Sequence, residues 1–267
     1  MTPLITLTTD FGLEDAYVGA MRGVILGICP EARLVDISHH LPRQDVAHAA
    51  LVLRDSVPYF PSGTVHVAVI DPGVGTARKA VAIECGGHRF VGPDNGLFGP
   101  VLEALGGPVV AHEVTNPDVL RKTISATFHG RDVFSPTGAH LAAGVALQAL
   151  GPPVEALVDG GFWAPPQIEP GCARGVITDV DHFGNLRTNI PIGALGAAPS
   201  GVTVRWPAHD HLDPVEGLQW TYGQAPQGAL LVLVGSSGHV EVAVNHGSAA
   251  QRLGLAAGAQ VEVHWNA

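Results

Sequence analysis

Apolar positions along this chain follow two different periods, and the period changes about two thirds of the way through. Residues 4–8 form a short β-type run that ends in Thr9-Asp10-Phe11-Gly12, and residues 15–28 then repeat their apolar positions at helical spacing until Cys29-Pro30. The same alternation predicts strands at 33–37 and 64–70, a helix at 45–57, a hairpin from 81–84 and 88–91, and a last helix over 133–150. Strands that alternate with helices predict an α/β domain with a largely parallel sheet, whose ligands bind beyond the carboxyl ends of the strands. The stretch from Gly151-Pro152-Pro153 to Pro170-Gly171 is rich in helix breakers and puts a boundary near residue 165. Beyond it, short strands are predicted at 175–180, 186–190, 202–206, 230–234, 240–244 and 261–265. The expected organisation is therefore an N-terminal α/β domain, 1–165, and a smaller all-β barrel or sandwich, 166–267.

Composition narrows the partners. A chain of 267 residues that is 46% hydrophobic can bury two modest cores. Its formal charge is −10 and its only lysines are Lys79 and Lys122, so no basic stripe is available to a phosphate backbone and nucleic acid is not an expected partner. An acidic field favours a cationic small molecule, although it also serves simply to keep a surface solvated. Cys29, Cys85 and Cys172 are far apart and form no CxxC pair, which argues against a disulfide framework or a thiolate zinc site and for a reducing, cytoplasmic setting. The amino terminus has no basic leader, and no apolar run reaches the roughly 20 residues that span a bilayer, so neither export nor a membrane is expected.

Three segments of the first domain carry side chains suited to chemistry. Asp10 ends the first strand and Asp15 opens the next helix; a carboxylate there can accept both hydroxyl protons of a ribose, or can serve as a helix cap or Asx turn. In Asp71-Pro72-Gly73-Val74-Gly75-Thr76-Ala77-Arg78 the two glycines allow a loop tight enough to return Arg78 to Asp71, giving a preorganised ion pair or a plain structural bridge. With Arg78 beside it, Asp71 stays ionised and orients and polarises a water. No Gly-Lys-Ser/Thr follows, so this is not a nucleotide P-loop. Phe128-His129-Gly130-Arg131-Asp132 offers an imidazole that can hold or relay a proton near neutral pH. His39-His40 and the 210–211 region lack the partners of a zinc site, and no metal is assigned. In the second domain, Asp181-His182-Phe183-Gly184-Asn185 and Ser236-Ser237-Gly238-His239-Val240-Glu241 are polar turns at strand ends.

Taken in order and spacing, Thr8-Thr9-Asp10-Phe11-Gly12, Asp71-Pro72-Gly73-Val74-Gly75-Thr76, Gly92-Pro93-Asp94-Asn95-Gly96, Phe128-His129-Gly130-Arg131-Asp132, Asp181-His182-Phe183-Gly184-Asn185 and Ser236-Ser237-Gly238 resemble the S-adenosylmethionine hydrolases (adenosine-forming), the former DUF62 family, relatives of the fluorinase and chlorinase. The resemblance covers nearly the whole chain. It implies hydrolysis of S-adenosyl-L-methionine at C5′ to adenosine and L-methionine, without a metal or organic cofactor, in a homotrimer whose active sites lie between subunits. Asp71, Arg78 and His129 stand where the family carries its water-activating triad, and Asp10 where its ribose-binding aspartate lies. Asp15 and Asn95 join the substrate-binding set. Asp181, Ser236 and Ser237 match positions around the methionine part, Phe183 and Asn185 match positions around the adenine, and Glu241 belongs to the same set. The short loop at 84–90 and the complete triad favour water over halide as the nucleophile. A halogenase making 5′-chloro-5′-deoxyadenosine and a non-catalytic adenosine or S-adenosylmethionine sensor are the competing readings.

Overall fold

The structure is a computed structural model that describes residues 2–197 and 199–266. The chain divides into two compact units, residues 1–161 and 162–267.

The first unit is built on a six-stranded sheet in the order β2-β1-β3-β5-β4-β6. Its strands are β1 (Leu4–Thr9), β2 (Arg33–Ser38), β3 (Val65–Val69), β4 (Ala80–Cys85), β5 (His88–Pro93) and β6 (Val110–Glu113), and its helices are α1 (Tyr17–Ile28), α2 (Val46–Ser56), α3 (Gly99–Leu105) and α4 (Ser135–Ala142). β2, β1, β3 and β5 run parallel, and β4 lies antiparallel between β5 and β6. The largely parallel sheet read from the alternation is thus present, with an antiparallel margin. β4 and β5 are joined by Gly86-Gly87, both at positive φ (57° and 80°), the conformation a two-residue hairpin with right-handed strand twist requires.

Alternation along the strands divides the core into two layers. Ile5, Leu7, Val67 and Val69 face Met21 and Ile25 of α1 and Phe134 and Leu141 around α4, all essentially inaccessible. Each such fully buried aliphatic side chain contributes about 1.5–3 kcal/mol. α4 lies so close to the sheet that a Cβ on Gly138 would stand 2.4 Å from Val67 Cγ2. The opposite face carries a buried polar row: Thr6 Oγ1 meets His66 Nδ1 at 2.7 Å, and His66 Nε2 meets His88 Nδ1 at 3.2 Å. Phe90 stacks on the His66 ring at 5.2 Å. Burial, with the neighbouring His88, pushes His66 down to about 3, so the row is neutral.

Two expectations need correction. The helix predicted over 133–150 is a π turn at Gly130–Phe134 followed by α4, because Gly144 at φ 100° breaks the run and only a short 3-10 turn, Leu147–Leu150, follows. Asp15 does not cap α1; the capping position is Ala16, which offers no side-chain acceptor, and Asp15 sits exposed in the preceding loop. α2, by contrast, is capped by Asp45, whose carboxylate accepts from His48 N at 2.9 Å.

The second unit is a nine-stranded, almost wholly antiparallel sheet. Its strands are β7 (Gln167–Glu169), β8 (Cys172–Val180), β9 (Leu186–Pro191), β10 (Ser200–Arg205), β11 (Val215–Glu216), β12 (Leu218–Gln219), β13 (Leu230–Val234), β14 (His239–Val244) and β15 (Gln260–Asn266), with one short helix, α5 (Ala249–Leu253). The order is β11-β10-β15-β8-β9-β14-β13-β12, with β7 added beside β8. The two edge strands, β11 and β12, are separated by Gly217 alone (φ 83°), so the sheet must roll nearly into a barrel for the chain to connect them. Its interior is filled by Ile177, Ile190, Val204, Trp206, Val242 and Val263.

Candidate active site

β1 lies between β2 and β3, so the chain leaves it and β3 in opposite directions, and the loops after the two strands open the crevice typical of ligand sites in parallel sheets. The loop after β3 is folded by consecutive turns: Val74 N donates to Asp71 O (3.2 Å), Thr76 N to Gly73 O (3.2 Å), and Thr76 Oγ1 to the same carbonyl (2.7 Å). These turns bring Arg78 back over the start of the loop. Its Nε donates to Asp71 Oδ1 at 2.8 Å, its Nη2 donates to Asp71 Oδ2, and the same Nη2 donates to His129 Nδ1 at 2.9 Å. The Arg78 and Asp71 side chains are only 10% and 5% exposed, and the guanidinium lies over the Phe134 ring at 5.1 Å. Asp71, Arg78 and His129, some sixty residues apart at the extremes, thus form one hydrogen-bonded chain with the cation in the middle.

Asn95 holds the base of this loop. Its Nδ2 donates to Ile70 O at 2.9 Å, and its Oδ1 accepts from Leu97 N at 3.3 Å.

His129 is presented by a segment without regular structure, 120–128, fastened from below by Asp132. That carboxylate is wholly buried and accepts from Arg131 Nε (2.7 Å), Arg131 Nη2 (2.8 Å) and Ser125 N (2.9 Å), with Arg121 Nε at 3.5 Å. Burial opposes its charge, but these donors and cations outweigh burial and hold Asp132 below the usual carboxylate range. The fastened segment touches the Arg78 loop directly: Gly75 (φ 76°) packs so tightly that a Cβ there would lie 2.5 Å from Ala126 O. Burial pushes the His129 imidazole below its ordinary range, and Arg78 adds to the effect against the opposing pull of Asp71 and Asp132.

Asp10, at the end of β1, accepts from Gln44 N at 2.7 Å, and Gln44 adopts the left-handed conformation (φ 64°) that brings this N–H to the carboxylate. The adjacent Phe11 joins Tyr17 and Phe128 in an aromatic cluster with centroid separations of 5.1–6.1 Å. Arg131 lies over Phe128 at 5.0 Å, which ties the Asp10 loop to the turn that carries His129.

In the second unit the remaining predicted residues gather around another cluster. Asp181 closes its own turn, its Oδ1 accepting from Phe183 N and Asn185 N (both 2.9 Å) and its Oδ2 from Asn185 Nδ2 (2.8 Å). A carboxylate only accepts, so the Asn185 amide is oriented with Nδ2 toward Asp181, and Oδ1 is left as an acceptor. Tyr222 donates its hydroxyl to Glu241 Oε1 at 2.9 Å, and Asn185 Nδ2 reaches that hydroxyl at 3.5 Å. Burial and the Glu241 hydrogen bond push Tyr222 up to about 12. Glu241, 5% exposed, is raised by burial, which the Tyr222 hydrogen bond only partly offsets and the charge of Asp181 reinforces. Phe183, Asn185, Tyr222, His246, Gly247 and Ser248 line a cleft of about 550 Å³, with the Phe183 ring three-quarters exposed at its edge. Ser236 and Ser237 form the β13–β14 turn, closed by Gly235 N donating to His239 O at 2.9 Å, and Glu241 Oε2 stands close against Gly235.

Sequence reasoning missed Tyr222. Tyr222 follows a capping box, Thr221 with Gln224, that marks a turn but says nothing of a pocket, and only the pairing of strands brings it to Glu241. Among the described residues no three His, Cys, Asp or Glu side chains are placed to hold a metal, and no helix is long and apolar enough to cross a membrane.

Comparison with known proteins follows the same two-unit division. Residues 5–151 match the model of the SAM hydroxide adenosyltransferase N-terminal domain, and residues 175–262 that of the C-terminal domain of the same family. A (R)-S-adenosyl-L-methionine hydrolase of Salinispora arenicola is 46% identical, with 98% of each chain aligned. A fluorinase of Actinoplanes is 30% identical over 98% of this chain and 97% of its own. The crystal structure of an uncharacterized conserved protein from Thermotoga maritima aligns with a TM-score of 0.89 at 34% identity, covering 97% of this chain and 99% of that one.

Proposed function

Because the chain belongs to the SAM hydroxide adenosyltransferase family, we propose that it hydrolyses S-adenosyl-L-methionine at C5′, giving adenosine, L-methionine and a proton. The observation that carries this reading is the Arg78 bridge between Asp71 and His129, a half-buried set of one acceptor and two donors suited to fixing a water molecule. Such positioning is most of what the reaction needs. A sulfonium departs as a neutral thioether, so no acid is required, and the task is to hold oxygen in line behind C5′. Because charge is lost as the nucleophile meets the sulfonium, exclusion of bulk water lowers the barrier further.

The binding roles follow the same reading. Asp10 accepts the ribose hydroxyls, assisted by Asp15 and Asn95. Asn185 Oδ1 accepts from the exocyclic amine of the adenine, and Phe183 covers the base. Asp181, Ser236, Ser237 and Glu241 surround the methionine part. The reading extends to a cytoplasmic homotrimer with active sites between subunits, and sedimentation tests the trimer.

Water rather than halide is favoured as nucleophile by the complete triad, by the two-residue β4–β5 turn, and by 46% identity to a hydrolase against 30% to a fluorinase. Incubating the purified protein with S-adenosyl-L-methionine, with and without chloride, and separating the nucleosides should yield adenosine alone. A 5′-halogenated nucleoside would reassign the nucleophile, and tight binding with no product would make the protein a sensor. Asp71→Ala should lower turnover by about 10²-fold or more, the usual effect of removing a positioned acid or base.

A further inference from the structure

The hydrogen-bond stoichiometry of the triad fixes where its protons are. A guanidinium has five N–H donors and no acceptor, so the Nη2–His129 Nδ1 contact at 2.9 Å can form only if Nδ1 is unprotonated and accepts. Nη2 carries two hydrogens; one goes to Asp71 Oδ2 and the other to His129. Neither can rotate away freely, because the Nε–Oδ1 bond at 2.8 Å and the Phe134 ring beneath the guanidinium set its plane. A neutral imidazole whose Nδ1 accepts bears its proton on Nε2. The charged groups facing the ring are Arg78, Asp71 and Asp132, and burial and Arg78 hold the ring below its ordinary range, so the neutral form persists at physiological pH.

We propose that Arg78 locks His129 in the Nε2–H tautomer, so that His129 serves the attacking water as a hydrogen-bond donor while Asp71 alone receives the water's proton. This rests on the hydrolytic reading. To act as a base through Nδ1, His129 would have to break its bond to Arg78; to act through Nε2, it would first have to lose the proton it already carries there. Asp71, in contrast, keeps one unused lone pair on each oxygen while both bonds to Arg78 stay in place. The step then balances as follows. A lone pair of the water oxygen forms the bond to C5′, the C5′–S bond breaks with its electron pair going to sulfur, and the protonated hydroxyl of the new adenosine gives its proton to Asp71, from which it passes to solvent. The Nε2–H bond to the oxygen aims the water and supplies no driving base, which a cationic leaving group does not demand.

Two measurements test this independently. In ¹⁵N-histidine-labelled protein near neutral pH, with the His129 signals assigned by their loss in His129→Gln, a pyridine-type Nδ1 and a pyrrole-type Nε2 are expected. A pyrrole-type Nδ1, an averaged pair or an imidazolium would overturn the lock. In turnover, Gln supplies an amide N–H near the Nε2 position but no basic nitrogen, so His129→Gln should stay within about tenfold of the parent, whereas Asp71→Asn should lose about 10²-fold or more. Equal losses in the two variants would make His129 a base and end the proposal. Should the parent protein form no adenosine at all, the hydrolytic reading falls, and with it the catalytic half of the proposal, while the nitrogen spectrum still decides the tautomer.

Discussion

The two polar clusters of this chain are built from similar parts with opposite electrostatics. In the first unit a cation, Arg78, stands between a carboxylate and an imidazole, and the set is balanced: one negative, one positive, one neutral group. In the second unit two neutral groups, Asn185 and Tyr222, stand between two carboxylates, and the charge of Arg187, opposite Glu241 on the neighbouring strand, offsets them only in part; Glu241 is raised and Tyr222 is pushed up to about 12. The balanced cluster can lie buried without a ligand and present fixed donors and one acceptor. The less balanced one, on the proposed function, gains from a cationic guest, which a sulfonium with an α-ammonium group supplies. On the proposed function, catalytic order and ligand attraction fall to separate units.

The largest expected effect comes from unbalancing the first cluster. Arg78→Met leaves Asp71 buried and unpaired, which should cost about 3–5 kcal/mol of stability, the usual result of removing one partner of a buried pair. Urea unfolding measures it, and a change below the scatter of ordinary surface substitutions would show that Arg78 contributes nothing to the balance. In the same variant His129 should titrate at higher pH, since it keeps the effect of burial but loses that of the guanidinium.

Next in size is a control with no charge at all, the Thr6–His66–His88 row. His66 is held near 3 in the fold, against about 6.5 in the unfolded chain, so the unfolded state binds the extra proton first. Its contribution is complete above about pH 6.5 and is lost as the pH falls toward 3, and by linkage the loss at about pH 5 is about 2 kcal/mol. Unfolding at about pH 7.5 and about pH 5 measures this; a His66→Gln protein should lack most of the difference, and an equal pH response in both would place the acid sensitivity elsewhere.

The smallest effect concerns the second cluster. Tyr222→Phe removes the hydroxyl donor from Glu241, raising that carboxylate further and loosening the wall of the cleft that Tyr222 lines. Affinity for adenosine should fall about 2–10-fold, the worth of one hydrogen bond. Calorimetry at constant pH reads it, and unchanged affinity would detach the Tyr222–Glu241 pair from ligand binding.

The same contrast explains what was legible in the sequence. The return of Arg78 to Asp71 is local, spanning one glycine-rich turn, and could be read from Gly73 and Gly75 alone. His129 was legible as an imidazole able to hold a proton, but its approach to Arg78 was not, since that depends on Asp132, Ser125 and the carbonyl of Ala126 pressing on Gly75, and only the match to a family's motif order set it beside Asp71 and Arg78. The parallel sheet was readable because β1, β2 and β3 alternate with helices. The over-long helix at 133–150 was misread because apolar spacing continues past Gly144, whose positive φ is a backbone fact with no hydrophobic signature. Tyr222 and Glu241 lie on different elements, 19 residues apart, and no periodicity links them.

The contact between Gly75 and the Ala126 carbonyl gives the first unit a single latch. Any fluctuation that lifts His129 from Arg78 by moving the 125–128 segment must also slide that carbonyl across the glycine and pull the Ser125 amide from Asp132. That one amide proton is therefore a natural gauge: the rate at which it trades with deuterated solvent should report how often the triad comes apart.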